Sequence, residues 1–107
     1  MIFRRDRFGD LVRRQLDLFA RDEADLLQEA VVAEREYEAS ERENAEEAYG
    51  DYQLVVDALA DRLLDLRETY AAALADETAA GYRTAFNDAS RRRFRRYSSL
   101  LADLDEA

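Results

Sequence analysis

Residues 45–73 read AEEAYGDYQLVVDALADRLLDLRETYAAA, and whether they form one helix or two decides the fold. Gly50-Asp51 resembles a helix stop followed by a new cap. Yet Ala45, Tyr49, Tyr52, Val56, Leu59, Leu63, Leu66, Tyr70 and Ala73 pass through it in alternating steps of four and three. That spacing marks one face of an α-helix, and a break at Gly50 would reset its phase. A single helix therefore crosses the glycine, at a cost of about 1 kcal/mol relative to alanine.

The neighbouring boundaries follow from this helix. Upstream, Ser40-Glu41-Arg42-Glu43 has the serine and glutamate spacing of a capping box, which predicts a second helix over 41–75. Before it, Phe8, Val12, Phe19, Leu26, Ala30, Ala33 and Tyr37 form another stripe, widened by Leu11 and Leu18. With Gly9-Asp10 as its start and Asp10 as cap, the first helix covers 10–38. Downstream, Tyr82, Phe86, Ala89, Phe94, Tyr97, Leu101 and Leu104 lie about half a turn away from a straight continuation of helix 2. A third helix over 77–104 is expected, capped by Asp76, with Gly81 as the alternative boundary.

Three helices of about 45 Å joined by short turns imply an all-α, up-down-up antiparallel three-helix bundle of coiled-coil-like packing. The chain of 107 residues is expected to be one domain, 1–107, with frayed ends near 1–8 and 105–107. The absence of proline and the presence of only three glycines agree with helix throughout. The six tyrosines fall on or beside the stripes, where rings bury and hydroxyls reach the wet rim.

Charge narrows the function classes. The chain carries 25 carboxylates against 16 basic residues, a net charge of −9, and every basic residue is arginine. Such a balance suits a salt-rich cytoplasm or a GC-rich genome. Without cysteine there is no disulfide framework or thiolate metal site, and without histidine no di-iron motif of the Glu-x-x-His type exists. Glu23, Glu34 and Glu41 lie near the buried stripes, where the functional reading is an oxygen-only cation site and the plain one is a reach to solvent or arginine. Asp57, Asp61 and Asp65 form an acidic ladder opposite the stripe of helix 2, read as a solvated face. Serines 40, 90, 98 and 99 lack an activating histidine, and no glycine-rich loop offers itself to phosphate. A non-enzymatic protein without metal or cofactor is expected. No apolar run is long enough for a signal peptide or membrane span, so the expected place is the cytoplasm.

The outstanding basic feature is RRRFRRYSS at 91–99, with five arginines in six positions around Phe94. Arg91, Arg92, Arg95 and Arg96 are the candidate partner or phosphate contacts. One reading is nucleic acid, with arginines on phosphates and Phe94 or Tyr97 stacked on bases. Phe94 and Tyr97 belong to the apolar stripe, however, which points them inward. A second reading pairs the arginines within the chain, with Asp57 and Asp61 on helix 2, with Asp22, Asp25 and Glu29 on helix 1, and Arg92 with Asp88. The third is docking of an acidic partner or of a second copy.

The fragments RRQLDLF at 13–19, YGDYQ at 49–53, LRETYAAAL at 66–74 and YRTAFN at 82–87 resemble small helical proteins of halophilic archaea. The resemblance implies three helices and a salt-rich source, and no activity. The expected function is a non-catalytic interaction or self-assembly module. Leu11, Leu18 and Val32 lie off the main stripe of helix 1 and leave an apolar strip for a protein partner or a second copy. Nucleic-acid association is the alternative.

Overall fold

A computed structural model describes residues 7–102 and 104. Among them the protein is all-helical: α1 (Gly9–Asp22), α2 (Ala24–Ala39), α3 (Ala45–Ala71) and α4 (Asp76–Arg93), with 3-10 turns at Arg42–Asn44 and Arg95–Tyr97. The helix through Gly50 is unbroken, as its apolar spacing requires, and Gly81 is likewise interior to α4. The packing is elongated, 52 × 25 × 25 Å.

The expected helix over 10–38 is divided at Glu23. Val12, Leu16, Phe19, Glu23, Leu26, Ala30 and Ala33 continue one line in steps of four and three, so a straight helix would press the Glu23 carboxylate into the core. The backbone opens there to φ −106°, ψ 27°. Helical bonding nevertheless passes through, because the Glu23 N–H donates to the Phe19 carbonyl at 2.8 Å and the Leu27 N–H to that of Glu23 at 3.0 Å. The loosened turn lets the carboxylate accept from Arg62 Nη1 at 2.5 Å on α3.

The second helix begins at Ala45 and not at 41, and the Ser40–Glu43 capping box does not form. Ser40 instead closes the helix before it: its N–H and its Oγ both donate to the Tyr37 carbonyl, at 3.1 and 2.6 Å. Asp10 and Asp76 lie within the first turns of α1 and α4, where their charge suits the helix dipole, but neither forms a side-chain cap. The third helix ends at Arg93 and not at 104. A continuous α-helix would hold Arg91 beside Arg95 and Arg92 beside Arg96, and like charges at that spacing repel. Phe94 leaves the helical region at φ −113°, ψ 43°, and a 3-10 turn, Arg95–Tyr97, follows. Residues 1–6 and 105–107 of the expected frayed ends lie outside the described residues. Phe8 packs on the bundle: its ring meets Tyr82 edge-on at 5.6 Å and its carbonyl accepts from the Val12 N–H.

Contacts fix the directions. Glu23 faces Arg62 and Tyr37 faces Tyr52, so α2 and α3 are antiparallel. Tyr70 faces Tyr82 and Arg67 faces Asn87, so α3 and α4 are antiparallel too. Phe8 beside Tyr82 and Asp17 beside Arg93 set α1 parallel to α4. The core between them holds Val12, Leu16, Val56, Leu59, Leu63, Tyr82, Phe86, Leu101 and Leu104, all at most 2% exposed. Toward the C-terminal end of α3 the buried line shifts from the expected Leu66 and Tyr70 to Arg67 and Ala71. The neighbour has changed there, from α2 to α4.

Candidate interaction surface

The arginine run divides among three directions. Arg91, Arg92 and Arg93 form the last turn of α4, where cations oppose the negative end of the helix dipole. Arg91 is half-buried with Asp88 at 3.5 Å, whereas Asp88 was expected to serve Arg92. Arg93 donates to Asp17 on α1 at 2.5 Å. Beyond the break, Arg96 donates to Glu34 on α2 and its guanidinium lies 5.6 Å from the Tyr97 ring centroid. Internal pairing is thus present, but with Asp17 and Glu34, and no such pair joins the cluster to Asp57, Asp61, Asp22, Asp25 or Glu29 among the described residues. Arg93 reaches Asp17 from the last turn of α4, and beyond the break at Phe94 Arg96 reaches Glu34.

Arg92 and Arg95 are exposed and form no ion pair with a described residue. Arg92 faces the groove between α1 and α4, whereas Arg96 faces α2, so the four candidate arginines do not make one patch. Phe94 and Tyr97 are 7% and 3% exposed. Phe94 meets Phe19 at 5.9 Å and Tyr97 meets Tyr52 at 6.1 Å, so neither ring is available to stack on a base.

A second basic centre was invisible to the motif reading. Arg67 is 1% exposed. Its Nε donates to Glu68 Oε2 and its Nη1 to Asn87 Oδ1 and to the Leu104 carbonyl, each at 2.8 Å. Asn87 Nδ2 also donates to that carbonyl, at 3.2 Å, so the segment after Tyr97 is fastened to α3 and α4. Arg83 grips Glu68 with two bonds of 2.8 and 2.9 Å. The bonds from Arg83, and then Arg67, pull the Glu68 carboxyl down to about 2 against the opposing effect of burial. Nearby, burial pushes the Tyr82 hydroxyl up to about 12, and it donates to Gln15 Oε1 at 2.8 Å. The sequence signal was Arg67's place one residue beyond the Leu63–Leu66 step, on the face turned toward α4.

Two of the three off-stripe residues of the first helix are exposed on the outer surface. Leu18 is 49% and Val32 42% exposed, while Leu11 is half-buried. Leu18 lines a groove against Arg62 and Leu66 of α3, and Val32 lines another against Val55 of the same helix. Both therefore flank one side of α3. Leu54, at 68%, is a further exposed leucine that its off-stripe position would have revealed.

Two grooves differ sharply in charge. That between α1 and α4, about 610 Å³, has a floor including Gly9, Ala85 and Ala89 and is rimmed by Arg13, Arg92 and Arg93, with Asp88 as the one carboxylate among the described residues that line it. That between α2 and α3, about 350 Å³, has Val32, Ala33 and Val55 beside Asp25, Glu29 and Glu36, and no cation among the described residues that line it.

Among the described residues no three His, Cys, Asp or Glu side chains converge as metal ligands, and no helix is long and apolar enough to cross a membrane. Glu23 and Glu34, near the core, are instead bound to Arg62 and Arg96, and Glu41 is exposed. No protein-family model, curated protein or solved structure matches this chain. Fold and surface define a class, an all-α protein with an arginine-rimmed groove and a separate acidic one.

Proposed function

We propose that this protein is a non-catalytic, acidic interaction module that associates with copies of itself, built as an up-down-up bundle in which α1 and α2 act as one bent rod. The observation that carries this is the exposure of Leu18 and Val32 after the core is complete, each at the mouth of a groove against α3. Scattered apolar residues are ordinary on a surface, so the weight rests on Leu18 and Val32 lying on one flank of α3.

Association with nucleic acid through Arg91, Arg92, Arg95 and Arg96 has less support. Phe94 and Tyr97 are packed inside and Arg96 is engaged by Glu34. Sedimentation velocity or light scattering over a range of concentration, at low and high salt, tests the proposal. A mass rising with concentration above 12.4 kDa is expected, and a monomer under every condition overturns it. In parallel, binding to a mixed nucleic-acid pool is expected to be weak and unchanged when the four arginines become glutamine.

A further inference from the structure

Resting on that reading, we infer that the second copy docks head-to-tail, its acidic α2/α3 groove seated on the arginine-rimmed α1/α4 groove of the first. The two surfaces cannot each pair with themselves. A symmetric contact of the α2/α3 face would bring Asp25, Glu29 and Glu36 against the same three carboxylates. On the α1/α4 face Asp10, Asp17 and Asp88 are already held by Arg13, Arg93 and Arg91, so a symmetric contact would leave Arg92 of each copy without a carboxylate to meet. Both arrangements are disfavoured, and the heterologous one satisfies both faces at once.

The shapes agree with the charges. On α2, Glu29, Val32 and Glu36 stand at i, i+3 and i+7 on one face, so the exposed valine is a knob flanked by carboxylates about 10 Å apart. On the opposing surface, Gly9, Ala85 and Ala89 lack bulk, which leaves the floor open to a helix approaching between Arg13 and Arg92. Among the described residues Arg92 makes no ion pair and Arg13 holds only Asp10, in a pair whose side chains are 67% and 79% exposed. Both guanidiniums are therefore accessible to an incoming carboxylate.

The grooves also lie in different halves of the rod. Asp17 beside Arg93 places the α1/α4 groove in one half, and Tyr37 beside Tyr52 places the α2/α3 groove in the other. A chain cannot close this contact upon itself. Each copy offers one of each surface, so association propagates into a ring or a filament.

Complementary blocking tests this directly. Arg13→Gln with Arg92→Gln disables the basic groove, and Glu29→Gln with Glu36→Gln disables the acidic one without making the two altered surfaces attract each other; all four residues are exposed, and circular dichroism checks that each variant folds. Each variant alone is expected to associate at least about tenfold more weakly than the natural chain. Their equimolar mixture retains one intact surface of each kind and is expected to form a dimer of about twice 12.4 kDa that grows no further. Association of the natural chain should also weaken on the order of tenfold between 0.1 and 1 M salt, as screening shortens from about 10 to 3 Å. A natural chain that associates, while the mixture stays monomeric or association tightens with salt, overturns the head-to-tail mode alone. A natural chain that is monomeric throughout overturns this mode and self-association together.

Discussion

Replacing Arg67 by alanine and by methionine separates two roles of a buried arginine, packing and charge. The side chain is 1% exposed and supplies three hydrogen bonds, yet its Nη2 is buried without an acceptor among the described residues. Arg67→Ala removes the volume and leaves Asn87 Oδ1 without its donor. A cavity in a packed site costs about 2–5 kcal/mol, and an unpaired buried acceptor about 1–3. Partial collapse and the relief of a desolvated guanidinium offset part of this, so the expected loss is about 3–5 kcal/mol. Arg67→Met keeps most of the volume. Glu68 retains both bonds from Arg83 and the Leu104 carbonyl retains Asn87 Nδ2, so only Asn87 Oδ1 is orphaned and the expected loss is about 1–2 kcal/mol. Urea denaturation at fixed salt measures both, and in a thermal melt the alanine variant should unfold at least about 12 °C below the natural chain. Equal losses for alanine and methionine would refute the reasoning, because the charge and not the packing would then hold the site. A loss under about 1 kcal/mol for alanine would show that the site does not brace the fold.

Gly50→Ala should stabilise the chain by about 1 kcal/mol, because the glycine is interior to α3 and an added Cβ meets nothing within 4 Å. A lower melting temperature would mean that the glycine is required by its conformation and not merely tolerated. For Glu68, whose carboxyl lies below its ordinary 4.5 at about 2, stabilisation is complete above pH about 4.5 and lost as pH falls toward 2. The difference in unfolding free energy between the natural chain and Glu68→Gln should therefore shrink across that window, and a constant difference from pH 6 to 2 would contradict it. Because the Glu68 side chain is 45% exposed, raising the salt should reduce the same difference.

Helix class and most of the core were legible because apolar periodicity is local. The face of α3 running Tyr52, Val56, Leu59, Leu63 is buried as its spacing requires, and Gly50 did not interrupt it. The helix ends were less legible. Ser40 satisfied the pattern of an N-cap but serves the preceding turn through Tyr37, since a hydroxyl bonds whichever backbone group the turn presents. Glu23 gave a usable signal, a carboxylate on an apolar line. Its outcome depended on Arg62, 39 positions away, reaching across to draw it out.

The candidate surface followed the same division. Pairing of RRRFRR within the chain was one of three readings that its acidic surroundings left open, and the break at Phe94 turns Arg96 toward Glu34, a partner that reading did not include. Arg67 carried no motif, and only the packing of α4 against α3 makes it an interior residue. By itself, the sequence determined an all-α chain with its main apolar faces, since helical preference and the three-to-four spacing act within a few turns. Only the tertiary structure decided where charge is spent in the interior, which arginines remain open, and that an acidic and a basic groove lie in opposite halves of the rod. Those depend on distances between helices, and no spacing along one helix encodes them.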